Sequence, residues 1–363
     1  MKLSIILKDR NNGLTQSRVI LALFVLLDHQ FTLFQVPRPA LLSGALTPSA
    51  FAVYMFIFMS GLLCYISRTR NSAPRFMMLR LARIFPGYAA CLALSSVVFI
   101  PLLACFGMQG GSNAIQQVPK ILRASAEYFL GNIAFTQNVY LPPSLQIENP
   151  VPAINGSLWT LQPEIMGYLL IAILFPLFAL MPRLFVIILF LGATSLALLS
   201  NSTRVFLQAL LGGYGFETAT DSHLYLALYL LCGILFAVYA SKIDINVRLA
   251  VISAGLLIIA YFISIRLFNI LSPFALPYVF LAACWFIRWP WGSGADWSYG
   301  VYLYSFPLQQ ITWNLQERHV IGTSFGMGLV LVCLASMAFG AASYYLVEHP
   351  VRLRILSLLS PAT

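Results

Sequence analysis

The sequence predicts an all-α fold: a polytopic integral membrane protein of about ten transmembrane helices, with both termini in the cytoplasm. Three observations lead there. Only 9% of the 363 residues are charged while 60% are hydrophobic, and the mean hydropathy is +0.85. A soluble domain carries about 25% charged residues, so this chain cannot cover its own surface in water and takes lipid as its solvent. Apolar runs of spanning length recur along the chain. Basic residues gather on alternate sides of those runs.

A spanning helix needs about 20 mostly apolar residues. The runs that meet this need are 17–36, 49–67, 84–106, 164–181, 183–200, 223–241, 247–265, 271–288, 297–316 and 323–347. The pair 164–181 and 183–200 is short and meets at Met181-Pro182-Arg183, which reads as a tight hairpin or a re-entrant turn. The last run is long enough to tilt or to end in an interfacial helix. Ahead of the first run, residues 3–7 are apolar but are cut short by Lys8-Asp9-Arg10. That is too little for a cleavable signal core, so the first span is expected to stay in place. With the N-terminus inside, fifteen of the 21 Lys and Arg residues fall on the cytoplasmic side. Arg38, Lys120, Arg123, Arg204, Arg266 and Arg318 fall outside. That bias orients the chain.

The connections are short except 107–163, which is assigned to the outer side and is rich in Gly, Asn, Gln and Pro. Residues 124–139 within it read as a short interfacial helix. A long polar loop of this kind is often functional. No internal repeat and no separate soluble domain is visible, so residues 1–363 read as one domain.

The formal net charge of +10 does not indicate nucleic acid. The basic residues sit at the ends of apolar runs instead of forming a soluble stripe. The six cysteines lie singly in apolar runs without a CxxC pair, so they read as packing residues, and neither a disulfide framework nor a metal site is expected.

Ionisable residues inside a membrane helix are costly and point to function. Asp28 and His29 lie in the first run. His29 follows Arg18 by eleven positions, which places both on one helix face about 16 Å apart along the axis. A neutral imidazole can act as a general base near neutral pH, although a packed histidine is the competing reading. Asp28, about a quarter-turn round the helix, can orient His29 or face water. Arg80 and Arg83, three apart before the third run, share a face if helical. Paired guanidiniums suit a phosphate ligand, and a plain positive-inside cluster beside lipid headgroups is the alternative. Glu164 opens the fourth run after Pro163, as a dipole-stabilised helix start or as a carboxylate facing the same outer chamber as His29. Glu348 and His349, at the inner end of the last run, are expected to be solvated by the cytoplasm.

These segments together resemble the membrane-bound acyltransferase family 3, the integral membrane O-acyltransferases of bacterial surface polysaccharides. The resemblance rests on Arg18 followed by His29, on Phe56-Ile57-Phe58-Met59-Ser60-Gly61, and on Arg80-x-x-Arg83 with Pro86. It extends to Asn155-Gly156-Ser157-Leu158-Trp159 leading to Glu164, to Ser298-Tyr299-Gly300 with Phe306-Pro307, and to Tyr345-Leu346-Val347-Glu348-His349-Pro350. The ordered set covers almost the whole chain. Two positions depart from the pattern: Ile57 stands for a Phe, and Ser305 stands where many members carry His.

The resemblance implies acetyl-CoA or another acyl-CoA as a cytoplasmic donor, with no permanently bound cofactor. It implies a glycan or lipid-linked saccharide acceptor and a bacterial inner membrane location. On that reading Arg18, Arg80 and Arg83 hold the CoA phosphates and His29 is the general base. Asp28 and Glu164 assist it, while Asn155, Ser157 and Trp159 border the acceptor. The rival class is a transporter or flippase of a lipid-linked glycan, which would show more intramembrane charge or repeat symmetry. Release of CoA thiol separates the two.

Overall fold

A computed structural model describes residues 1–9, 11–39, 46–107, 114–136, 149–182, 184–185, 187–188, 191–192, 195, 219–286, 295–322 and 324–359. Among these residues the regular structure is helical, and Lys2 and Asp244 form an isolated antiparallel bridge. In lipid a helix satisfies every backbone polar group within itself, which is why long apolar runs take this form. The helices are α1 (Leu3–Ile6), α2 (Leu14–Leu33), α3 (Pro48–Thr69), α4 (Ala73–Leu94), α5 (Ile100–Gly107), α6 (Ala114–Asn132) and α7 (Leu161–Leu180). They continue with α8 (Ala219–Val238), α9 (Val247–Ile263), α10 (Ile265–Phe286), α11 (Ser298–Glu317), α12 (Phe325–Ser343) and α13 (His349–Leu359).

Five helical stretches among the described residues are long and apolar enough to cross a membrane: Pro48–Thr69, Ala73–Phe106, Gly156–Leu180, Ile265–Phe286 and Phe325–Leu358. Two shorter apolar helices cover Tyr225–Val238 and Val247–Ile263. This is a membrane protein. The expected spans 17–36 and 297–316 form helices but fall short of that criterion. Their polar content explains it: Asp28 and Gln30 on α2, and Gln309, Gln310, Asn314 and Gln316 on α11, are all buried against protein. The expected span 183–200 lies largely outside the described residues, as do 108–113 and 137–148 of the long loop.

Two boundaries differ from expectation. The third span begins at Ala73, so Arg75, Arg80 and Arg83 lie on its first turns and not in a loop. Ser72 O accepts the Phe76 N–H at 2.8 Å, and the Met-Leu-Arg sequence that follows favours helix. At about 1.5 Å per residue the stretch to Phe106 exceeds the roughly 30 Å apolar core, so its first turns extend past the hydrocarbon. The helix in the long loop spans Ala114–Asn132 in place of 124–139. It stops where Asn132 Nδ2 donates back to Tyr128 O at 2.8 Å and Phe135 takes a φ of 61°.

The chain forms two compact units, each gathered from three segments. The first holds residues 1–17, 53–77 and 163–294. In it α3 and α8 touch backbone to backbone. A Cβ on Gly61 would stand 2.1 Å from Leu230 O, and one on Gly233 would stand 2.2 Å from Phe58 O. Small residues permit this approach in membrane helices, and Tyr54 stacks on Tyr229 with centroids 4.5 Å apart. Residues 1–3 pair with the segment before α9: Ile245 N donates to Met1 O at 2.8 Å and Leu3 N to Ile243 O at 2.9 Å.

The second unit holds residues 18–52, 78–162 and 295–363. Its core joins Tyr88, Cys91 and Leu92 of α4, Tyr128 of α6, and Leu303 and Tyr304 of α11 to Ile154 and Leu158. Helices α11 and α12 close on Gly300 and Gly340; a Cβ on Gly300 would stand 2.7 Å from Gly340 Cα.

Candidate active site

His29 sits on α2 of the second unit, edge-on to Phe306 of α11, with ring centroids 5.2 Å apart and planes at 80°. Its Nδ1 is buried and has no hydrogen-bond partner among the described residues. The helix around it is gripped by α11. Gln309 Nε2 donates to Leu26 O at 2.8 Å and to Gln30 Oε1 at 2.9 Å. These bonds bracket His29 in sequence and fix the rotation of α2, so the imidazole cannot turn away without breaking buried amide pairs.

Behind Phe306 lies the turn 155–160. A Cβ on Gly156 would meet the Phe306 ring at 2.7 Å, so only glycine permits this packing. Asn155 Oδ1 accepts from Ser157 N at 3.2 Å and caps the short 3₁₀ turn Gly156–Thr160. Its Nδ2 donates to Leu303 O at 2.8 Å. Tyr302 Oη donates to Ser157 O at 2.6 Å and lies 2.6 Å from Thr160 Oγ1. Asn155 and Ser157 are fully buried. They lock the turn to α11 and set the wall behind Phe306. Trp159, on the same turn, is half-buried.

Asp28 is engaged away from its neighbour. Arg38 Nε donates to its Oδ1 at 2.6 Å, and Ser49 Oγ donates to Oδ2. Both oxygens are engaged, so Asp28 ties α2 to the segment after it and to the start of α3; it is buried instead of facing water, and no hydrogen bond joins it to His29 Nδ1.

At the other end of α2, Arg18 and Arg83 converge on Asp296. Arg18 Nη1 lies 2.9 Å and Arg83 Nη2 3.1 Å from Asp296 Oδ2, while Ser298 Oγ donates to Oδ1 at 2.5 Å. Burial alone would raise the Asp296 carboxyl; Arg18 and Arg83, with the Ser298 hydroxyl, more than offset it and hold the group below its ordinary value. Two guanidiniums against one carboxylate leave a net positive charge with fixed geometry. Arg80 precedes Arg83 by three positions on the same helix, as expected.

Glu348 is buried, not solvated as expected. The π turn Tyr344–Glu348, in which His349 N donates five residues back to Tyr344 O, rolls it inward. There Ser343 Oγ donates to Glu348 Oε1 at 2.7 Å, and Gly87 leaves room for it. Glu164 belongs to the first unit. It lies in the first turn of α7 and accepts from Ser60 Oγ at 2.9 Å and from Tyr168 Oη at 2.5 Å.

These positions fall inside a known family. The model of the family described as an acyltransferase domain matches residues 11–345, nearly the whole chain. The chain belongs to this acyltransferase family. The O-acetyl transferase of Shigella phage Sf6 is 26% identical to it over 364 aligned residues, covering 97% of this chain and 98% of that protein. No solved structure matches. The acyltransferase is therefore an enzyme, and its candidate site has an imidazole packed edge-on to Phe306 and, at the other end of α2, Arg18, which meets Arg83 of α4 at Asp296. Sequence reasoning singled out Arg18, His29 and Arg83 as candidates and quoted Phe306 within a motif without giving it a role; it gave no place to Asp296 or Gln309. Asp296 follows a Gly-rich stretch and resembles a loop residue; a lone carboxylate before the Ser298-Tyr299-Gly300 motif was the available signal.

Proposed function

We propose that this acyltransferase moves an acetyl group from cytoplasmic acetyl-CoA to a sugar hydroxyl of a surface polysaccharide or its lipid-linked precursor. It works from a bacterial inner membrane, with about ten spans and both termini in the cytoplasm. The observation that carries the reading is His29, an imidazole on α2 whose buried Nδ1 has no hydrogen-bond partner among the described residues and whose helix rotation is fixed by the Gln309 bonds.

In the proposed reaction His29 takes the proton of the acceptor hydroxyl as its oxygen attacks the thioester carbonyl. The carbon–sulfur bond breaks, and the CoA thiolate recovers the proton from the imidazolium. The new ester carries the acetyl group. Arg18 and Arg83, pre-aligned by Asp296, take the CoA phosphates together with Arg80. The roughly 16 Å from Arg18 to His29 along α2 suits an extended pantetheine arm reaching between them. Trp159 flanks the acceptor. The acetyl reading is favoured by the phage relative, which is an O-acetyl transferase.

The test uses the purified full chain in detergent with acetyl-CoA and the host's alkali-treated surface polysaccharide. Saccharide-dependent release of CoA thiol, with acetyl ester appearing on the glycan, supports the proposal. Thiol release that ignores saccharide, or none, removes it.

A further inference from the structure

A recess of about 210 Å³ lies in the second unit, among Phe34, Trp313, Gln316, Glu317, His319 and Phe325. None of these residues belongs to the motif set or to the site described above. On α11, Phe306, Gln309, Trp313 and Gln316 follow one another at three- and four-residue steps, which puts them on one stripe of the helix. The same stripe that braces His29 through Phe306 and holds Gln30 through Gln309 therefore continues into the recess.

A second contact links the two places. The Cβ position of Gly328 lies 2.8 Å from Gln316 Oε1 and 3.3 Å from Gln30 Nε2. Gln30 directly follows His29. Gln316 is 5% exposed; its Nε2 donates to Ser324 O at 3.0 Å and to Gly322 O at 2.5 Å, while its Oε1 has no hydrogen-bond partner among the described residues. A buried amide oxygen left unbonded costs free energy unless a ligand or water donates to it. Its surroundings have a mixed chemistry: an indole and two phenyl rings with a carboxylate, an imidazole and an amide. Aromatic faces take the apolar face of a pyranose, and a few polar groups at the edge read its hydroxyls. Glu317 and His319 are exposed at the rim, so the recess is open to a ligand.

We infer that this recess is a saccharide subsite, in which Trp313 stacks on one sugar ring while Gln316 and Glu317 bond its hydroxyls, next to the ring acetylated at His29. Phe34, one wall of the recess, packs against the cluster of Leu33, Ala153 and Phe306, and Phe306 is the ring that lies edge-on to His29. The inference rests on the proposed glycan acceptor.

The experiment measures KM for the alkali-treated host polysaccharide and for acetyl-CoA, using the full chain in detergent. The variants are Trp313→Ala, Trp313→Phe and Glu317→Gln. Expected are a rise of tenfold or more in saccharide KM for Trp313→Ala and a smaller rise for the other two, with the acetyl-CoA KM within about twofold. Wild-type saccharide KM in all three variants overturns the subsite and leaves the acetyl-transfer reading intact. A wild-type protein that acetylates no saccharide overturns both. Should Trp313→Ala fail to accumulate, Trp313→Phe and Glu317→Gln decide alone: raised saccharide KM supports the subsite and wild-type values overturn it.

Discussion

Arg18 donates to Asp296 across 278 positions of sequence, at 2.9 Å, with Arg83 3.1 Å away on the same carboxylate oxygen. One partly buried acid thereby sets the spacing of two guanidiniums from different helices. On the proposed function this cluster is the donor-phosphate cradle, and Asp296 is a positioning residue. Asp296→Asn keeps the shape but removes the charge that aligns the arginines. The expected result is a rise of about tenfold in acetyl-CoA KM, equivalent to about 1.4 kcal/mol, with little change in the saccharide KM. Steady-state kinetics on the purified variant checks this, and an unchanged donor KM would leave Asp296 a local fold residue.

The pH dependence of the cluster follows from the lowered Asp296 carboxyl. Its charged form is favoured in the folded state, so its contribution is present above the ordinary carboxylate value of about 3.9. That contribution is lost as pH falls below that value through the folded one. Donor KM is therefore expected to be flat with respect to this group from pH 5 to 8. A donor KM that climbs as pH falls through 6 would contradict the assignment of a low carboxyl here.

Gly61 closes the Ser60-Gly61 pair by letting α3 meet α8, with Leu230 O 2.1 Å from where a Cβ would stand. Backbone cannot yield as a side-chain tip does. Gly61→Ala is expected to cost about 1–3 kcal/mol and to lower the amount of folded protein in membranes. Thermal unfolding in detergent measures it; a wild-type melting temperature would show that the helices separate without penalty.

Asn155 and Trp159 stand four positions apart yet predict different phenotypes. Asn155→Ala removes the amide donor to buried Leu303 O, leaving it only the weak Cys91 Sγ–H at 3.4 Å, and uncaps the turn, an expected loss of about 1–3 kcal/mol seen as reduced protein level. Trp159→Ala, at a half-buried position, is expected to spare the protein level and to raise saccharide KM. Immunoblots of membranes alongside kinetics separate the two.

Composition and apolar run length made the helical membrane fold legible, because lipid dictates both. Motif spacing likewise pointed to His29, Arg18 and Arg83. The limits were physical. The third helix start was misplaced because basic residues read as loop, although Arg75, Arg80 and Arg83 are good helix formers on turns that extend past the apolar core. For Asp28 the sequence left two readings, orienting His29 or facing water; about 100° round the helix from His29, it meets Arg38 and Ser49, partners that helical spacing does not reveal. Asp296 and the Gln309–Gln30 pair act across hundreds of positions, and no local pattern carries such a contact. Glu348 turned inward through a π turn, whose extra residue shifts the helical register by an amount that periodicity does not contain.

The central claim is that His29 performs the proton transfer. The direct measurement is proton NMR of the surface polysaccharide from a host lacking this gene, complemented with wild type or with His29→Ala at matched membrane levels. The account predicts that wild type restores an O-acetyl resonance and that His29→Ala does not. A restored resonance in the His29→Ala strain would contradict it.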